Sequence, residues 1–249
     1  MSTFPSSLAV AARQARALED TAHRPWTLPG GSWLQAQTRE DVLFAHWRAE
    51  PAALARLLPP GLPLDTYEGE AFVGLVPFRL ANLRLRGLPA LRRSFPQLDV
   101  RTYVSLEGRP GIWLASLEAS NPVLVEAAKR AHRLPAYRAR ISTHAEEGRA
   151  TSWEVERDGL AFRARARPEG DAFTGAPGSL EHFLVERYCL YTADGGRLYR
   201  AELHHTPWRL RRAQAELDEV TLAPVALEGE PHFLHAAEQD VLVWPLEEL

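Results

Sequence analysis

Arg101 and Tyr103 are the residues whose types and spacing most directly suggest ligand chemistry. In the run Val100-Arg101-Thr102-Tyr103-Val104, a strand would place the two valines and the threonine on one face and Arg101 and Tyr103 on the other. If the valine face packs outward, a guanidinium and a hydroxyl point inward and could bind an anion. A solvent-facing strand would give the same pattern, so both interpretations stay open.

His204, His205 and Glu186 are the other candidates for polar chemistry. Neighbouring residues of a strand face opposite sides, so we expect one buried, hydrogen-bonded histidine and one surface histidine, not a metal-chelating pair. Glu186 lies four residues after His182 and could meet it on one helix face. Such a pair could serve as general base and orienter, or be a routine surface pair. No metal site is expected.

Lys129 is the only lysine among 29 Lys and Arg residues. Imine chemistry needs a neutral amine, which only Lys129 or the N-terminus could supply. Asn121 as N-cap and Pro122 at the first position predict a helix over residues 122–132. Lys129 falls outside the expected core-facing stripe, so we expect it to be solvated. That stripe consists of Val123, Leu124, Ala127 and Ala131.

The composition excludes several classes of protein. A net charge of −3 over 249 residues offers no general attraction to nucleic acid or anionic membrane. Cys189 is the only cysteine, which precludes an internal disulfide and favours a buried, inert thiol. No run of eighteen apolar residues and no signal-like segment is present. We expect a soluble, cytoplasmic protein that needs no cofactor, binds a small molecule and could form a homo-oligomer.

Predicted strands dominate the chain. About a dozen strands and a few short helices, without βαβ alternation, favour a β-rich α+β fold. Since open sheets rarely exceed about ten strands, we expect a closed or half-closed barrel with peripheral helices. Residues 1–24 are expected to form a helical extension and residues 25–249 a single domain. The polar triplet Arg39-Glu40-Asp41 is expected to separate two extended pieces, and Ser179 to cap a helix.

Seven segments together resemble one family. The segments are LFAHW (43–47), LLPPGLPLDTYEGEAFVGLVPFR (57–79), FPQLDVRTYV (95–104), RPGIWLASLEASNP (109–122), LPAYRARIS (134–142), PGSLEHFLVERYCLY (177–191) and LHHTPW (203–208). They are similar to the uncharacterised bacterial YqjF-like family of the acetoacetate-decarboxylase-like superfamily, in the right order from about Trp26 to Trp244. The resemblance implies a cone-shaped, antiparallel or mixed β-barrel that encloses a pocket.

The same resemblance weighs against imine chemistry. Acetoacetate decarboxylases form a Schiff base through a lysine that follows a Phe/Tyr-Pro pair, beside a second lysine. Leu134-Pro135 looks similar to that pair, which puts Ala136 and Tyr137 at the lysine positions. The family usually carries Glu at the position of Gln97 and Asn at that of Asp99. A candidate general acid or base is therefore missing unless Asp99 replaces it.

We therefore expect a barrel that binds a small organic acid or similar polar ligand and lacks the Schiff-base lysine. The candidate ligand-binding residues are Arg101, Tyr103, Arg79, Tyr137, His204, His205 and Glu186. The alternative is an enzyme that uses acid–base chemistry in the same pocket, of hydratase, lyase or tautomerase type. A structural or protein-interaction role is a third possibility, indicated only by the alternating arginines of residues 160–167. A histidine within hydrogen-bond reach of a carboxylate inside the cavity would favour the enzyme.

Overall fold

The computed structural model describes residues 7–146 and 150–249, so residues 1–6 of the expected extension lie outside the described part. The helices are few and short. They are α1 (Ser7–Arg16), which continues into a 3₁₀ turn at Ala17–Glu19, α2 (Pro51–Ala55), α3 (Pro122–His132) and α4 (Leu180–Val185). None of the helices in the described ranges is long and apolar enough to cross a membrane.

Strands make up most of the described chain. They are β1 (Gln35–Ala49), β2 (Ala71–Leu85), β3 (Phe95–Leu106), β4 (Arg109–Ala119), β5 (Ala136–Arg138), β6 (Arg140–Ala145), β7 (Thr151–Arg157), β8 (Leu160–Phe173), β9 (Cys189–Asp194), β10 (Arg197–His204), β11 (Leu210–Val220), β12 (Glu228–Val243) and β13 (Glu247–Glu248). This confirms the β-rich α+β class with few helices.

Seven strands close into a ring. Their order is β10-β9-β4-β3-β2-β1-β12, and β12 returns to β10 through the pairs Leu203↔Val243 and His204↔Leu242. Neighbours in the ring are antiparallel except β4 and β9, which are parallel. From β12 the strands β11, β8, β7 and β6 continue as an antiparallel extension. The extension folds over the outside of the ring, since its Trp153 packs in one apolar cluster with Leu43 and Leu75.

Side-chain alternation along the strands creates two apolar cores. The inner core, inside the ring, includes Phe44 and Tyr103. The outer core, between the ring and the extension, includes Leu43 and Val100. Because successive strand residues face opposite sides, β3 turns Arg101 and Tyr103 inward. The guanidinium of Arg101 accordingly lies 5.4 Å from the ring centre of Phe44.

The alternating arginines belong to β8. Its apolar residues Phe162 and Ala164 are buried in the outer core, as the alternation predicts. Arg163 pairs with two glutamates of neighbouring strands, and Arg165 Nη2 lies 2.6 Å from Glu146 Oε2. These arginines therefore form ion pairs across a solvated face.

β1 is continuous from Gln35 to Ala49, so the predicted break at Arg39-Glu40-Asp41 is wrong. Asp41 has a positive φ of 53°, and the register with β2 shifts between Glu40 and Ala45. Such a β-bulge adds one residue and changes which side chains face inward. The inward residues are Gln35, Gln37 and Arg39 before the bulge, and Val42, Phe44 and His46 after it.

α3 begins and ends where its capping residues predict. The side chain of Asn121 accepts hydrogen bonds from the backbone N–H groups of Val123 and Leu124, at 2.9 and 3.4 Å. The predicted core-facing stripe is partly wrong, because Val123 is 72% exposed while Val125 is buried. The inward-facing stripe runs instead through the buried Val125 and His132 and the half-buried Ala128, at intervals of three and four residues.

Gly74→Ala is expected to destabilise the fold. A Cβ on Gly74 would lie 2.8 Å from Cδ2 and 2.9 Å from Nε2 of His46, inside the ring. Since overpacking an interior costs about 1–3 kcal/mol, the free energy of unfolding measured in urea should fall by that amount. Gly30→Ala is the matched control, because a Cβ there meets nothing within 4 Å. Equal, near-zero changes in both variants would contradict the packing described.

Candidate functional site

A cavity of about 260 Å³ lies inside one end of the ring, against α3. Eleven of its twenty lining residues in the described chain are leucine, isoleucine or valine, and three are alanines of α3. The polar lining residues form two groups. We call Arg39, Asp99, Gln97 and Gln37 the floor, and Gln35 and His132 the mouth. Exposed residues, among them Leu85 and Ala131, line the cavity at the mouth.

An ion pair and an amide form the floor. Nη1 of Arg39 lies 3.5 Å from Oδ2 of Asp99, and Nε2 of Gln97 donates to Oδ1 of Asp99 at 2.7 Å. Nε of Arg39 has no hydrogen-bond partner among the described residues. Burial lowers the pKa of the Arg39 guanidinium, Asp99 opposes this and Arg101 adds to it. The group still carries its charge, since the ordinary pKa of arginine exceeds 12.

The mouth offers an acceptor, not a second cation. Nε2 of His132 lies 3.3 Å from Oε1 of Gln35, so this nitrogen carries the proton and donates. Burial lowers the pKa of His132 below its ordinary value, which keeps the imidazole neutral at pH 7. Nδ1 is then an acceptor, and it has no partner among the described residues.

Arg101, Tyr103 and His46 form a second polar group inside the ring. The hydroxyl of Tyr103 lies 2.7 Å from Nε2 of His46 and 3.0 Å from the carbonyl oxygen of Leu184, to which Nη2 of Arg101 also donates at 2.9 Å. Burial, with Arg101 nearby, lowers the pKa of His46 well below its ordinary value. A neutral His46 that donates from Nε2 lets Tyr103 donate to Leu184.

His204 and His205 are both buried, so the prediction that one lies on the surface is wrong. His204 ends β10, and the carbonyl oxygen of Ala17 lies 2.6 Å from its Nε2. The segment after α1 therefore covers it, and burial lowers its pKa to about 4. His205 lies beyond the strand, where the alternation no longer applies. Neither residue lines the cavity.

Glu186 belongs to the cluster around His205, outside the cavity. The carboxylate of Glu186 accepts hydrogen bonds from the Tyr188 hydroxyl at 2.6 Å and from the backbone N–H of Trp208 at 2.9 Å. It also lies 3.9 Å from Nδ1 of His205. The side chains of Glu186 and His182 form no ion pair within the described chain. The reason is that α4 ends at Val185, one residue before Glu186.

Arg79 and Tyr137 also lie away from the cavity. The Arg79 side chain is 42% exposed, with Nη2 3.7 Å from Oε2 of Glu40. Tyr137 is 39% exposed, and the guanidinium of Arg157 lies 4.1 Å from its ring centre. Arg157 in turn pairs with the buried carboxylate of Glu118 at 2.9 Å, which holds this stack outside the ring.

Lys129 and the first residue after Leu134-Pro135, the two positions relevant to imine chemistry, differ in burial. Lys129 is 47% exposed on α3, with Nζ 3.8 Å from Oε1 of Glu126. Ala136, the first residue after Leu134-Pro135, is fully buried in the inner core.

Sequence reasoning missed Arg39, Gln37 and His132 as cavity residues. Gln35, Gln37 and Arg39 alternate at a period of two, which could have indicated a polar strand face. Arg101 and Tyr103 do face the interior, but neither lines the cavity.

The arrangement can bind an anion. The cavity brings together a guanidinium, a carboxylate and three amides, but no histidine–carboxylate pair, since Asp99 contacts Arg39 and Gln97 while His132 contacts Gln35. No group of three potential metal ligands occurs in residues 7–146 and 150–249.

Comparisons with known proteins agree with the resemblance read from the sequence. A family model described as an uncharacterized conserved protein, DUF2071, matches residues 36–242. The chain is 40% identical over 229 residues to the uncharacterized protein YqjF of Bacillus subtilis (strain 168), covering 88% of this chain and 94% of YqjF. The predicted membership of a YqjF-like family is confirmed.

Solved structures share the fold at low sequence identity. Acetoacetate decarboxylase from Legionella pneumophila superposes with a TM-score of 0.61 at 13% identity, over 100% of this chain and 97% of that one. An acetoacetate decarboxylase-like enzyme from Sphingomonas wittichii RW1 gives 0.60 at 16%, over 92% and 98%. The enduracididine biosynthesis enzyme MppR, complexed with pyruvate, gives 0.61 at 14%, over 91% and 93%.

At such identities the likeness shows the fold alone. The family match over most of the chain and the 40% identity to YqjF go further, and establish that this protein belongs to the DUF2071 family, with an acetoacetate-decarboxylase-like fold.

Proposed function

We propose that the cavity binds a small organic acid through the guanidinium of Arg39. The ring of strands would be the cone-shaped barrel that the resemblance implies, formed by one domain over residues 25–249 with residues 1–24 as an extension. The observation that carries the proposal is the guanidinium of Arg39, whose buried Nε has no partner among the described residues, beside a cavity with a mostly aliphatic wall.

Charge counting supports an anionic ligand. The Arg39 side chain is 12% exposed and Arg101 is buried, and the two lie close enough that Arg101 disfavours the charged form of Arg39. Asp99 is the one carboxylate paired with either of them in the described chain, since Arg101 donates to the carbonyl of Leu184. An uncompensated buried charge is costly, and a ligand carboxylate at Arg39 would offset it through charge-assisted hydrogen bonds. In this proposal Arg101 contributes its field from behind the floor, without contact.

The solved neighbours make a small acid a reasonable ligand class. The structure of MppR contains pyruvate, and the decarboxylases are named for acetoacetate, both short carboxylic acids. The proposal takes from them the class of ligand and nothing of their chemistry.

The proposal includes the absence of Schiff-base chemistry. Lys129 is solvated and paired with Glu126 on the outer side of α3, whereas the cavity-lining residues of that helix are Leu124, Ala127, Ala128, Ala131 and His132. A lysine needs desolvation or neighbouring cations to become a neutral amine at pH 7. The Lys129 side chain is 47% exposed, so it is not desolvated, and its Nζ pairs with a carboxylate.

Acid–base catalysis in the same cavity is the second candidate. Asp99 could accept a proton at the floor and the neutral His132 could accept one at the mouth, and both line the cavity. They are not bonded to each other, and each is held by an amide, which favours binding over catalysis. Asp99→Asn should abolish turnover of hydroxy or enoyl acids if the enzyme hypothesis holds.

Arg39→Gln is expected to remove ligand-induced stabilisation. Binding to the native state raises the melting temperature, so a panel of organic acids should identify a ligand of the intact protein. Losing the charged hydrogen bond costs about 1.5–3 kcal/mol, so the affinity should fall by roughly 10- to 100-fold.

Arg79→Gln is the matched control, because this arginine is half-exposed, pairs with Glu40 and does not line the cavity. Its ligand-induced shift should equal that of the unmodified protein, with circular dichroism showing that both variants fold. If Arg39→Gln keeps the full shift, the proposed anion contact is wrong.

Borohydride with pyruvate or acetoacetate is expected to trap no adduct. Because Lys129 is half-exposed on the outer side of α3 and does not line the cavity, no lysine amine faces a bound keto acid, so the intact mass should stay unchanged. Lys129→Arg removes the only lysine and serves as the reference. A mass gain that appears in the unmodified protein and disappears in Lys129→Arg would establish imine chemistry at this residue.

A further inference from the structure

We infer that the ligand is an aliphatic monocarboxylic acid of medium chain length, with its carboxylate at Arg39 and its tail extending toward α3. The inference rests on the proposed function and narrows its ligand class. It follows from how polarity is distributed over the cavity wall.

The wall between floor and mouth is aliphatic. Of the twenty lining residues in the described chain, fourteen are leucine, isoleucine, valine or alanine, and none is phenylalanine, tyrosine or tryptophan. A short polar acid such as pyruvate would contact the floor and leave the aliphatic wall without a ligand contact. An alkyl chain would bury it, and apolar burial is the main non-directional source of affinity. The absence of these aromatic side chains favours an aliphatic tail over a planar one.

The length of the cavity sets the length of the tail. Gln35 at the mouth and Arg39 at the floor are four residues apart on β1, which corresponds to roughly 13 Å along a strand. An extended alkyl chain advances about 1.3 Å per carbon–carbon bond, so roughly ten carbons, counted with the carboxylate, cover that distance. Beyond the mouth the surface is open, because Ala127 and Ala131 are exposed. The extra carbons of longer tails would therefore protrude into solvent without clashing, and they would add little to the affinity.

The charges indicate one carboxylate, not two. Arg39 is the only cationic side chain that lines the cavity in the described residues, and the mouth presents a neutral His132 with an acceptor nitrogen. A second carboxylate on the ligand would meet either aliphatic wall or that acceptor. Dicarboxylates of equal length should accordingly be rejected.

A homologous series tests the inference on the intact protein. Calorimetry with acetate, butyrate, hexanoate, octanoate and decanoate should show affinity rising roughly fourfold per methylene, with a plateau near eight to ten carbons. Suberate, the dicarboxylate that matches octanoate in length, should bind at least 100-fold more weakly.

Two α3 variants locate the tail. Ala128→Leu places extra volume on the cavity face of the helix and should move the plateau to shorter acids by two or three carbons. Val123→Leu adds a methylene on the exposed face of the same helix and should leave the series unchanged.

The outcomes separate the inference from the proposed function. If short acids bind best, without gain per methylene, and Arg39→Gln abolishes their binding, the medium-chain inference falls while the organic-acid proposal stands. If suberate binds with the same affinity as octanoate, the tail does not lie where we infer. The same conclusion follows if Ala128→Leu leaves the chain length at which affinity stops rising unchanged. If no acid of any length binds, the proposed function falls and the inference with it.

Discussion

The bulge at Asp41 is the constraint on which the interior of this protein depends. One strand, β1, supplies Gln37 and Arg39 of the cavity floor and the apolar residues beyond them, and the two sets have opposite parity in the sequence. Without the extra residue, a β1 whose Phe44 faced inward would turn Arg39 toward the outer core, where Trp153 and Leu43 pack. The side chain of Asp41 stabilises the bulge itself, since it accepts a hydrogen bond from Thr151 at 2.7 Å and lies 3.0 Å from Nε2 of His235. A local backbone irregularity thus decides where a buried charge is placed.

The buried polar residues divide the interior into two regions with different roles. Arg101 and Tyr103 converge on the carbonyl oxygen of Leu184 and so tie the end of α4 to the ring. Gly74 leaves the space that His46 occupies beside them. Arg39 has an ion pair of 3.5 Å and an Nε without a partner in the described chain, so its hydrogen-bonding capacity is only partly used. Nε of Arg101 also lacks a partner there, but Arg101 does not line the cavity. The position beside the cavity therefore distinguishes Arg39 as the group that can receive a ligand.

Features determined by neighbouring residues could be predicted from the sequence, and features determined by distant contacts could not. The limits of α3 follow from Asn121 and Pro122, and the sequence segments identified the family. The triplet Arg39-Glu40-Asp41 has the composition of a turn, yet it is a bulge inside a long strand, because pairing with β2 and β12 continues on both sides. The burial of His204 depends on Ala17, 187 residues away. Alternation alone showed that Arg101 and Tyr103 share a face, but the direction of that face required the ring to close.

The chemistry available to this fold depends on which cation faces the cavity. An amine can be tuned by its surroundings to lose its proton and attack a ketone, which is the use that the resemblance assigns to the decarboxylase lysines. The positions after Pro135 hold instead the fully buried Ala136 and, turned outward beneath Arg157, Tyr137. The cation facing the cavity in the described chain is Arg39, whose guanidinium stays protonated in proteins and has no lone pair to donate. Such a group can hold a carboxylate but cannot form a covalent bond with its carbon skeleton. In the proposed function, a fold shared with acetoacetate decarboxylases binds an acid and forms no imine with it, because the cation that faces the cavity is a guanidinium.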